Sequence, residues 1–287
     1  RLNMGKILKM DFRRLFKNPF FYAYPLAVMV IMIISMVTSK TDPEDTTHIT
    51  MILEQAAGVL SMAIVAAGLV VIAHMSAFDK YGYSKNLVGN VNGRHMLTLS
   101  KLILGAFTMV FYAVANFLFM FGMMSHEVGK VIYMTKYPYP ESADMAPNSL
   151  QKNWISREEW NKRISDMINH EIAHYVLMVV AGIAIIAMLI MLYELTRSSA
   201  FSYVMVILIG FGVIEEMIVS ISGLIFPDLE IPRFLLISQF SYFYDSSFMN
   251  GDFIAADPVW TFWVKNLIYF AIFAGASLFI SKKKDAA

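Results

Sequence analysis

The sequence carries one motif with the residue types and spacing of a zinc peptidase. His170, Glu171 and His174 form His-Glu-Ile-Ala-His, a pattern that sets two imidazoles on one helix face beside a glutamate able to act on metal-bound water. Such a site also needs a third ligand and a shielded cleft. Glu194 lies about 30 Å farther along a continuous helix, at 1.5 Å per residue. We therefore expect His170, Glu171 and His174 to be polar residues on an exposed helix face and not metal ligands. A membrane-embedded zinc metalloprotease is the alternative.

A pair of carboxylates lies inside an apolar run. Glu215 and Glu216 resemble the paired glutamates of intramembrane CAAX-type proteases, but Ser220 stands where that family has an arginine, and no histidine follows. A carboxylate near the middle of a bilayer usually faces a cavity or a partner group. We therefore expect a substrate pathway or subunit interface here, with one glutamate functional and the other its support. The alternative is that both carboxyls are protonated or paired inside the bundle and only hold it together. Gly210 and Gly212 would allow the helix to bend one turn earlier.

Residues 89–95 only superficially resemble a phosphate-binding loop. Gly89 and Gly93 enclose three residues where the nucleotide-binding pattern needs four, and Arg94-His95 replaces its lysine and hydroxyl residue. The sequence therefore predicts no ATP site in this chain.

The composition indicates a polytopic membrane protein. The 287 residues are 57% apolar, 14% aromatic and only 16% charged, with a mean hydropathy of +0.57. A net charge of +1 predicts no nucleic-acid partner, and the absence of cysteine excludes disulfides and cysteine-ligated metals.

Six apolar runs are long enough to cross a bilayer, which takes about 20 helical residues. We predict an all-α fold with spans at 20–39, 56–78, 102–124, 175–195, 201–226 and 260–281. Small residues in the second and fourth spans favour close helix packing, within the chain or in a dimer. A capping pattern at Ser156 and Glu159 predicts a helix that begins before the fourth span and runs into it.

Residues 1–19 are predicted to form an amphipathic helix in the plane of the cytoplasmic membrane surface. An apolar arc opposes a basic face, although Asp11 interrupts that arc. A basic flank that merely follows the positive-inside rule is the alternative reading. The apolar arc comprises Met4, Ile7, Leu8, Phe12, Leu15 and Phe16, and the basic face Lys6, Lys9, Arg13 and Lys17.

The distribution of basic residues predicts the orientation. Most of the 23 lysines and arginines fall in the N-terminal segment, in the loop at 78–101, in the turn at 193–200 and in the C-terminal tail. The positive-inside rule then places both termini and the 78–101 loop in the cytoplasm, and the 125–174 loop outside the cell.

Short motifs occur in the segments that are predicted to be cytoplasmic. The N-terminal helix ends in FKNPFF at 16–21, and the loop between the second and third spans carries DKYGYSKN at 79–86, followed by Gly93-Arg94 through Ser100-Lys101. Together with six spans, these features resemble the type-2 ABC exporter permeases. The resemblance is greatest to small bacterial subunits associated with bacteriocin, lantibiotic-immunity and antimicrobial-peptide export.

The resemblance implies a transport subunit, not an enzyme, in the bacterial plasma membrane among membrane lipids. A separate cytoplasmic ABC ATPase would bind ATP and magnesium, a second permease copy or paralogue would complete the pathway, and the substrate would be a hydrophobic or cationic amphipathic peptide. Residues 80–94 would form the main coupling helix and residues 193–199 a secondary contact. The implied ATPase-docking residues are Asp79, Tyr81, Tyr83, Lys85, Asn86, Arg94 and Glu194.

Besides the protease, two further classes of protein fit the sequence. One is a membrane-embedded sensor or immunity protein that works without an ATPase, and the other is a structural subunit of a larger complex. Copurification with an ATPase distinguishes the exporter from both.

Overall fold

The structure is a computed structural model. It describes residues 3–38, 47–48, 56–57, 59–80, 94–128, 131–132, 157–226, 231–239 and 258–283.

The described chain is helical apart from one pair of two-residue strands. The strands, β1 (Thr47–His48) and β2 (Val131–Ile132), pair in parallel. A short 3₁₀ turn covers Ile231–Phe234. The α-helices are α1 (Met4–Lys17), α2 (Pro19–Thr38), α3 (Leu60–Lys80), α4 (Arg94–Val128), α5 (Arg157–Thr196), α6 (Ser199–Gly210), α7 (Val213–Ile225) and α8 (Val259–Lys283).

Four helices in the described residues are long and apolar enough to cross a membrane. They comprise α3, Arg94–Gly122 of α4, Ile168–Thr196 of α5, and α8, and the bent pair of α6 and α7 would make a fifth. In α2 the apolar stretch Pro19–Ile31 is shorter. These helices are compatible with a multi-pass membrane protein, as the composition predicts, whereas six spans and a defined orientation stay predictions.

Helix α5 matches the prediction from the capping pattern. It begins at Arg157 and continues without a break for 40 residues through the fourth predicted span. Ser156 itself lies outside the described residues.

Helices α3, α4 and α5 form the centre of the bundle because small residues let them approach closely. A Cβ at Gly105 would lie 2.6 Å from Ile186 Cγ2, and one at Gly182 would lie 2.7 Å from Met109 Cε. No side chain fits at either point without displacing its neighbour. The small residues of the second and fourth predicted spans are therefore used for packing within this chain, and those fully buried include Ala63, Ala67, Ala181, Ala184 and Ala187.

Helix α1 is amphipathic, as predicted, and its buried stripe packs against the bundle. Asn3 caps its start by accepting a hydrogen bond from the Lys6 N–H at 3.1 Å. The buried residues are Ile7, Asp11 and Leu15, at a spacing of four. Asp11 is therefore at the centre of the buried stripe. The buried face of α1 is rotated relative to the predicted apolar arc. The basic residues on the exposed side are Lys6, Lys9, Arg13 and Lys17.

Helix α2 contains a proline, and a neighbouring helix satisfies the carbonyl that this proline leaves without a helical hydrogen bond. Pro25 has no N–H, so the carbonyl of Phe21, four residues earlier, loses its helical partner. The Tyr112 hydroxyl of α4 donates to this carbonyl at 2.7 Å. Both Phe21 and Tyr112 are fully buried, so this bond satisfies a polar group that water does not reach.

Replacing Tyr112 with Phe should destabilise the protein by about 1–3 kcal/mol, because it leaves the buried Phe21 carbonyl unsatisfied. Adding Pro25→Ala supplies an N–H for that carbonyl and should remove more than half of this cost. Denaturant unfolding of the purified, detergent-solubilised chain measures both. Tyr22→Phe removes a similar bond to the Phe16 carbonyl at an exposed position and is the control. If Tyr112→Phe costs the same with and without the Pro25→Ala substitution, this account is contradicted.

Candidate functional site

Charged side chains of several helices meet at one end of the bundle, which we call the charged end. Helices α3, α5 and α8 end there, α4 begins there, and α1 packs across it. Two connected groups of polar residues form at this end. The Asp11 cluster comprises Asp11, His74, Ser100 and Lys101, and the Arg197 cluster comprises Asp79, Thr98, Tyr193, Glu194, Arg197 and Ser281.

The Asp11 cluster joins α1 to α3 and α4. Asp11 Oδ1 lies 2.7 Å from Lys101 Nζ and 3.3 Å from His74 Nε2. The Ser100 hydroxyl donates to Asp11 Oδ2 at 2.6 Å. Asp11 and Lys101 are 0% and 3% exposed, so this is a buried ion pair in which both carboxylate oxygens have partners.

Asp11 is held in its ionised form by this arrangement. Burial would raise the pKa of its carboxyl above the usual 3.8, but the hydrogen bond from His74 and the Lys101 charge outweigh burial and lower the pKa to about 2. The stability that this carboxylate contributes is therefore complete above about pH 4 and is lost only as the pH falls towards 2. Asp11 stays charged at any physiological pH.

An aromatic ring covers the Asp11 cluster. Lys101 Nζ lies 4.2 Å from the centre of the Phe78 ring, and the Arg14 guanidinium carbon lies 5.4 Å from it. Phe78 also packs with Ile7 and Leu97 in a small apolar group. The ring thus adds cation–π attraction and separates the ion pair from solvent.

The Arg197 cluster joins α3, α4, α5 and α8. Arg197 Nη1 lies 2.9 Å from Asp79 Oδ2, and Arg197 Nη2 lies 2.5 Å from Glu194 Oε2. The Tyr193 hydroxyl donates to the same Asp79 oxygen at 2.9 Å. One guanidinium therefore bridges the last turns of α3 and α5.

A hydroxyl extends this cluster to α4 and α8. Thr98 Oγ1 lies 3.1 Å from Glu194 Oε1 and 2.9 Å from Ser281 Oγ. Since the hydroxyl has one proton, it donates to the carboxylate and accepts from Ser281. Thr98, Glu194 and Ser281 are all buried, so the last turn of α8 is tied to the same network.

Arg197 has an unusual backbone conformation that helps its side chain to bridge Asp79 and Glu194. Arg197 has φ of +55°, a left-handed conformation that costs a non-glycine residue about 1–2 kcal/mol. Its N–H closes the end of α5 by donating to the Tyr193 carbonyl at 2.8 Å. This conformation allows the turn between α5 and α6 to direct the guanidinium back towards Asp79 and Glu194.

A small cavity of about 30 Å³ connects the two clusters, which is room for about two water molecules. Lys101 borders it from the Asp11 cluster, and Asp79, Thr98, Glu194 and Arg197 border it from the other. Arg94, the first residue of α4, also lines it. The clusters are therefore neighbouring parts of one network.

Three of the residues predicted to dock an ATPase occur in or beside this network. Asp79 and Glu194 are members of it, and Arg94 lines its cavity. His74 was not predicted as a site residue, whereas Lys101 ends the 93–101 motif and Arg197 lies within the predicted 193–199 contact, although neither was assigned a role of its own. All three residues could have been recognised in the sequence. His74 and Lys101 are polar residues within or beside apolar runs, and Arg197 is the one basic residue of 193–200. Four of the predicted docking residues, Tyr81, Tyr83, Lys85 and Asn86, lie outside the described residues.

The residues of the zinc-peptidase motif lie along one face of α5. Glu171 and His174 are 4% and 6% exposed and His170 is half-buried, so the prediction that they lie on an exposed helix face is wrong. Within the described part of the chain, no group of three histidine, cysteine, aspartate or glutamate residues could hold a metal ion. A catalytic zinc centre would need such a group and an open coordination position for water.

The two glutamates of α7 have different environments. Helices α6 and α7 meet at a bend of 63°, where Gly212 has φ of +74°, so the glycine-containing break is present. Glu215 is buried and Glu216 is exposed. Both are in the first turn of α7, where the helix dipole favours negative charge.

The Glu215 carboxylate binds the backbone of residues 231–239. It accepts hydrogen bonds from the Ile237 N–H at 2.9 Å, from the Ser238 N–H at 2.7 Å and from the Ser238 hydroxyl at 2.9 Å. The same segment is held to α8 by Gln239, whose side-chain amide donates to Asn266 Oδ1 at 2.9 Å. Glu215 therefore fixes this segment against the broken helix.

Replacing Asp11 with Asn should destabilise the protein by about 3–5 kcal/mol, because it leaves the Lys101 charge buried without a counter-charge. The double variant Asp11→Asn with Lys101→Met should be less destabilised than Asp11→Asn alone. Thermal unfolding in detergent measures both, and Arg13→Gln on the exposed side of α1 is the control. Additive losses in the double variant would show that the two side chains do not interact.

Glu215→Gln should loosen residues 237 and 238, because it removes the negative charge that their N–H groups share and places an amide NH₂ beside the Ile237 N–H. The loss of hydrogen bonds to a charged group, about 1.5–3 kcal/mol, should accelerate hydrogen exchange at these two amides. Glu216→Gln, one position away and exposed, is the matched control and should leave their exchange unchanged. Equal acceleration in the two variants would contradict an anchoring role specific to Glu215.

No protein-family model matches this chain. No curated protein and no solved structure matches it either.

Proposed function

We propose that this chain is the membrane-spanning permease subunit of an ATP-binding-cassette exporter in the bacterial plasma membrane. A separate cytoplasmic ATPase binds ATP and magnesium and drives it, and a second permease copy or paralogue completes the pathway. In this proposal α2 and the bent pair of α6 and α7 complete six spans, and the charged end and both termini face the cytoplasm. The chain itself carries out no catalysis.

The observation that supports this proposal best is the network at the charged end. Residues 81–93 connect the last turn of α3 to the first turn of α4. Asp79 before them is bound to Arg197, and Arg94 after them lines the cavity shared by the two clusters. A force applied to this connection therefore acts on a network that reaches α1, α5 and α8.

Such a network suits the transmission of movement from a docked ATPase. Buried ion pairs resist separation because a lone charge in a low-dielectric interior is costly. Helix ends joined in this way move together, and packed helices exchange between discrete arrangements. Closure of the ATPases would then shift the spans between inward-open and outward-open packings. The turn that carries Arg197 would be the secondary contact with the ATPase.

The acidic pair in α7 suits an amphipathic, cationic peptide as substrate. Glu215 is occupied by the backbone of residues 231–239, so we assign it the supporting role. Glu216 is exposed, and we assign it to the pathway or the interface with the second permease. The exposed apolar residues elsewhere around α7 include Met217, Ile218, Ile221, Leu224 and Ile225.

Charge reversal of the proposed docking loop tests the function. Lys80→Glu with Lys85→Glu should reduce recovery of a co-expressed, genomically adjacent ATPase at least about tenfold, since each reversal replaces an attraction by a repulsion. Lys282→Glu with Lys283→Glu is the matched control. It makes the same change in charge at exposed positions of the same end of the bundle, and it should leave recovery within about twofold.

Equal losses in the two double variants would contradict a specific docking loop. Failure of any ATPase to copurify with the wild-type chain would favour a sensor or a structural subunit. One tightly bound zinc per chain, lost in His174→Ala together with activity, would favour the metalloprotease.

A further inference from the structure

A second and larger cavity lies between the N-terminal helices and α3. It has a volume of about 460 Å³ and is lined by Arg14, Asn18, Phe20, Ala73, His74, Ala77 and Phe78. This volume is within the range of small-molecule sites. Its lining combines an arginine, an asparagine and a histidine with two phenylalanines and two alanines. Its occupant should therefore be amphipathic.

The lining of this cavity includes a positive charge. Asp11 is the one acidic residue of α1, and its charge is balanced by Lys101 at 2.7 Å. Arg14 adds a further positive charge at the cavity, and the exposed Arg13 and Lys17 lie on the same helix. At the start of α2, Asn18 already accepts hydrogen bonds from the Phe20 and Phe21 N–H groups, so the charge available to an anion here is that of Arg14.

Exposed apolar surface continues from Phe20 along the outside of the bundle. Phe20 is 70% exposed at the cavity, and exposed apolar side chains follow it along α2. A soluble anion would leave this surface uncovered, whereas an acyl chain would cover it. The exposed large apolar residues of α2 beyond Phe20 include Leu26, Val30, Ile31, Ile33 and Ile34.

We propose that this cavity is a binding site for an anionic phospholipid. The phosphate binds at Arg14, and the acyl chains lie along the exposed face of α2. The basic face of α1 lies at the depth of the headgroups, as in other interfacial amphipathic helices. Because His74 lines the cavity and contacts Asp11, the bound lipid stabilises the joint between α1 and α3. This site does not depend on the exporter function.

The test is the thermal unfolding of the full-length chain in a nonionic detergent with increasing phosphatidylglycerol or phosphatidylcholine. Phosphatidylglycerol should raise the unfolding midpoint of the wild type by several degrees more than phosphatidylcholine does. Arg14→Gln should raise the phosphatidylglycerol concentration for half-maximal stabilisation about tenfold, as expected for the loss of one hydrogen bond between charged groups. Arg13→Gln, with the same change in charge on the exposed side of α1, should change it less than about twofold.

A second pair of variants keeps the test decisive if Arg14→Gln does not fold. Ala77 lines the cavity and is exposed, so Ala77→Phe should block the site without disturbing the core. Ala271→Phe makes the same change at an exposed position of α8 and should leave the effect of phosphatidylglycerol intact. Loss of the effect in Ala77→Phe alone would support the site.

Three results would overturn the proposal. Equal stabilisation by the two lipids would show that the site does not select a negative charge. Equal weakening by Arg14→Gln and Arg13→Gln would show diffuse attraction to the whole basic face. Equal stabilisation by glycerol phosphate at the same concentration would show that a soluble anion, and not a lipid, occupies the cavity.

Discussion

The ion pair between Asp11 and Lys101 restricts how the helices at the charged end can be arranged. Both side chains are almost completely buried, and a buried charge without a partner is unstable. An apolar stripe alone would allow α1 to shift by one turn against the bundle and still bury similar side chains. A shift of one turn, about 5.4 Å along the axis, would separate Asp11 from Lys101, His74 and Ser100 together. The ion pair thus fixes the position of α1 on α3 and α4.

The same constraint extends through the Arg197 cluster to the rest of this end. Glu194 is buried and would be unstable there without Arg197 and Thr98. Arg197 in turn binds Asp79, and Thr98 binds Ser281, so the ends of α3, α5 and α8 and the start of α4 have fixed relative positions. The partners come from four helices and from the turn that carries Arg197. Removing one therefore affects several helices.

The segment 231–239 is held by a different chemistry. A single carboxylate, Glu215, accepts hydrogen bonds from two successive backbone N–H groups there. The bend at Gly212 makes this possible, because it places Glu215 in the first turn of a new helix. This anchor needs no buried cation. It joins a helix to an irregular segment, whereas the charged end joins helices to one another.

The sequence by itself determined the local features of this protein. Apolar runs and periodicity predicted the helices, the glycines at 210 and 212 predicted the break, and a capping pattern predicted the start of α5. These features depend on neighbours a few residues away, so a single sequence contains the information. The same holds for the amphipathic α1. Its buried face differs from the prediction in that Asp11, expected to interrupt the apolar arc, lies at the centre of that face.

The tertiary structure alone decided which charges meet. Asp11 interrupts an apolar arc on a helical wheel, yet its partners are 63 and 89 residues away in the sequence. The environment of Glu215 likewise depends on amides 22 and 23 residues later. The zinc-peptidase motif meets its spacing rule, but the convergence of further ligands is a property of the fold. Coulombic attraction and hydrogen bonding act through space, so their partners are settled only when the helices pack.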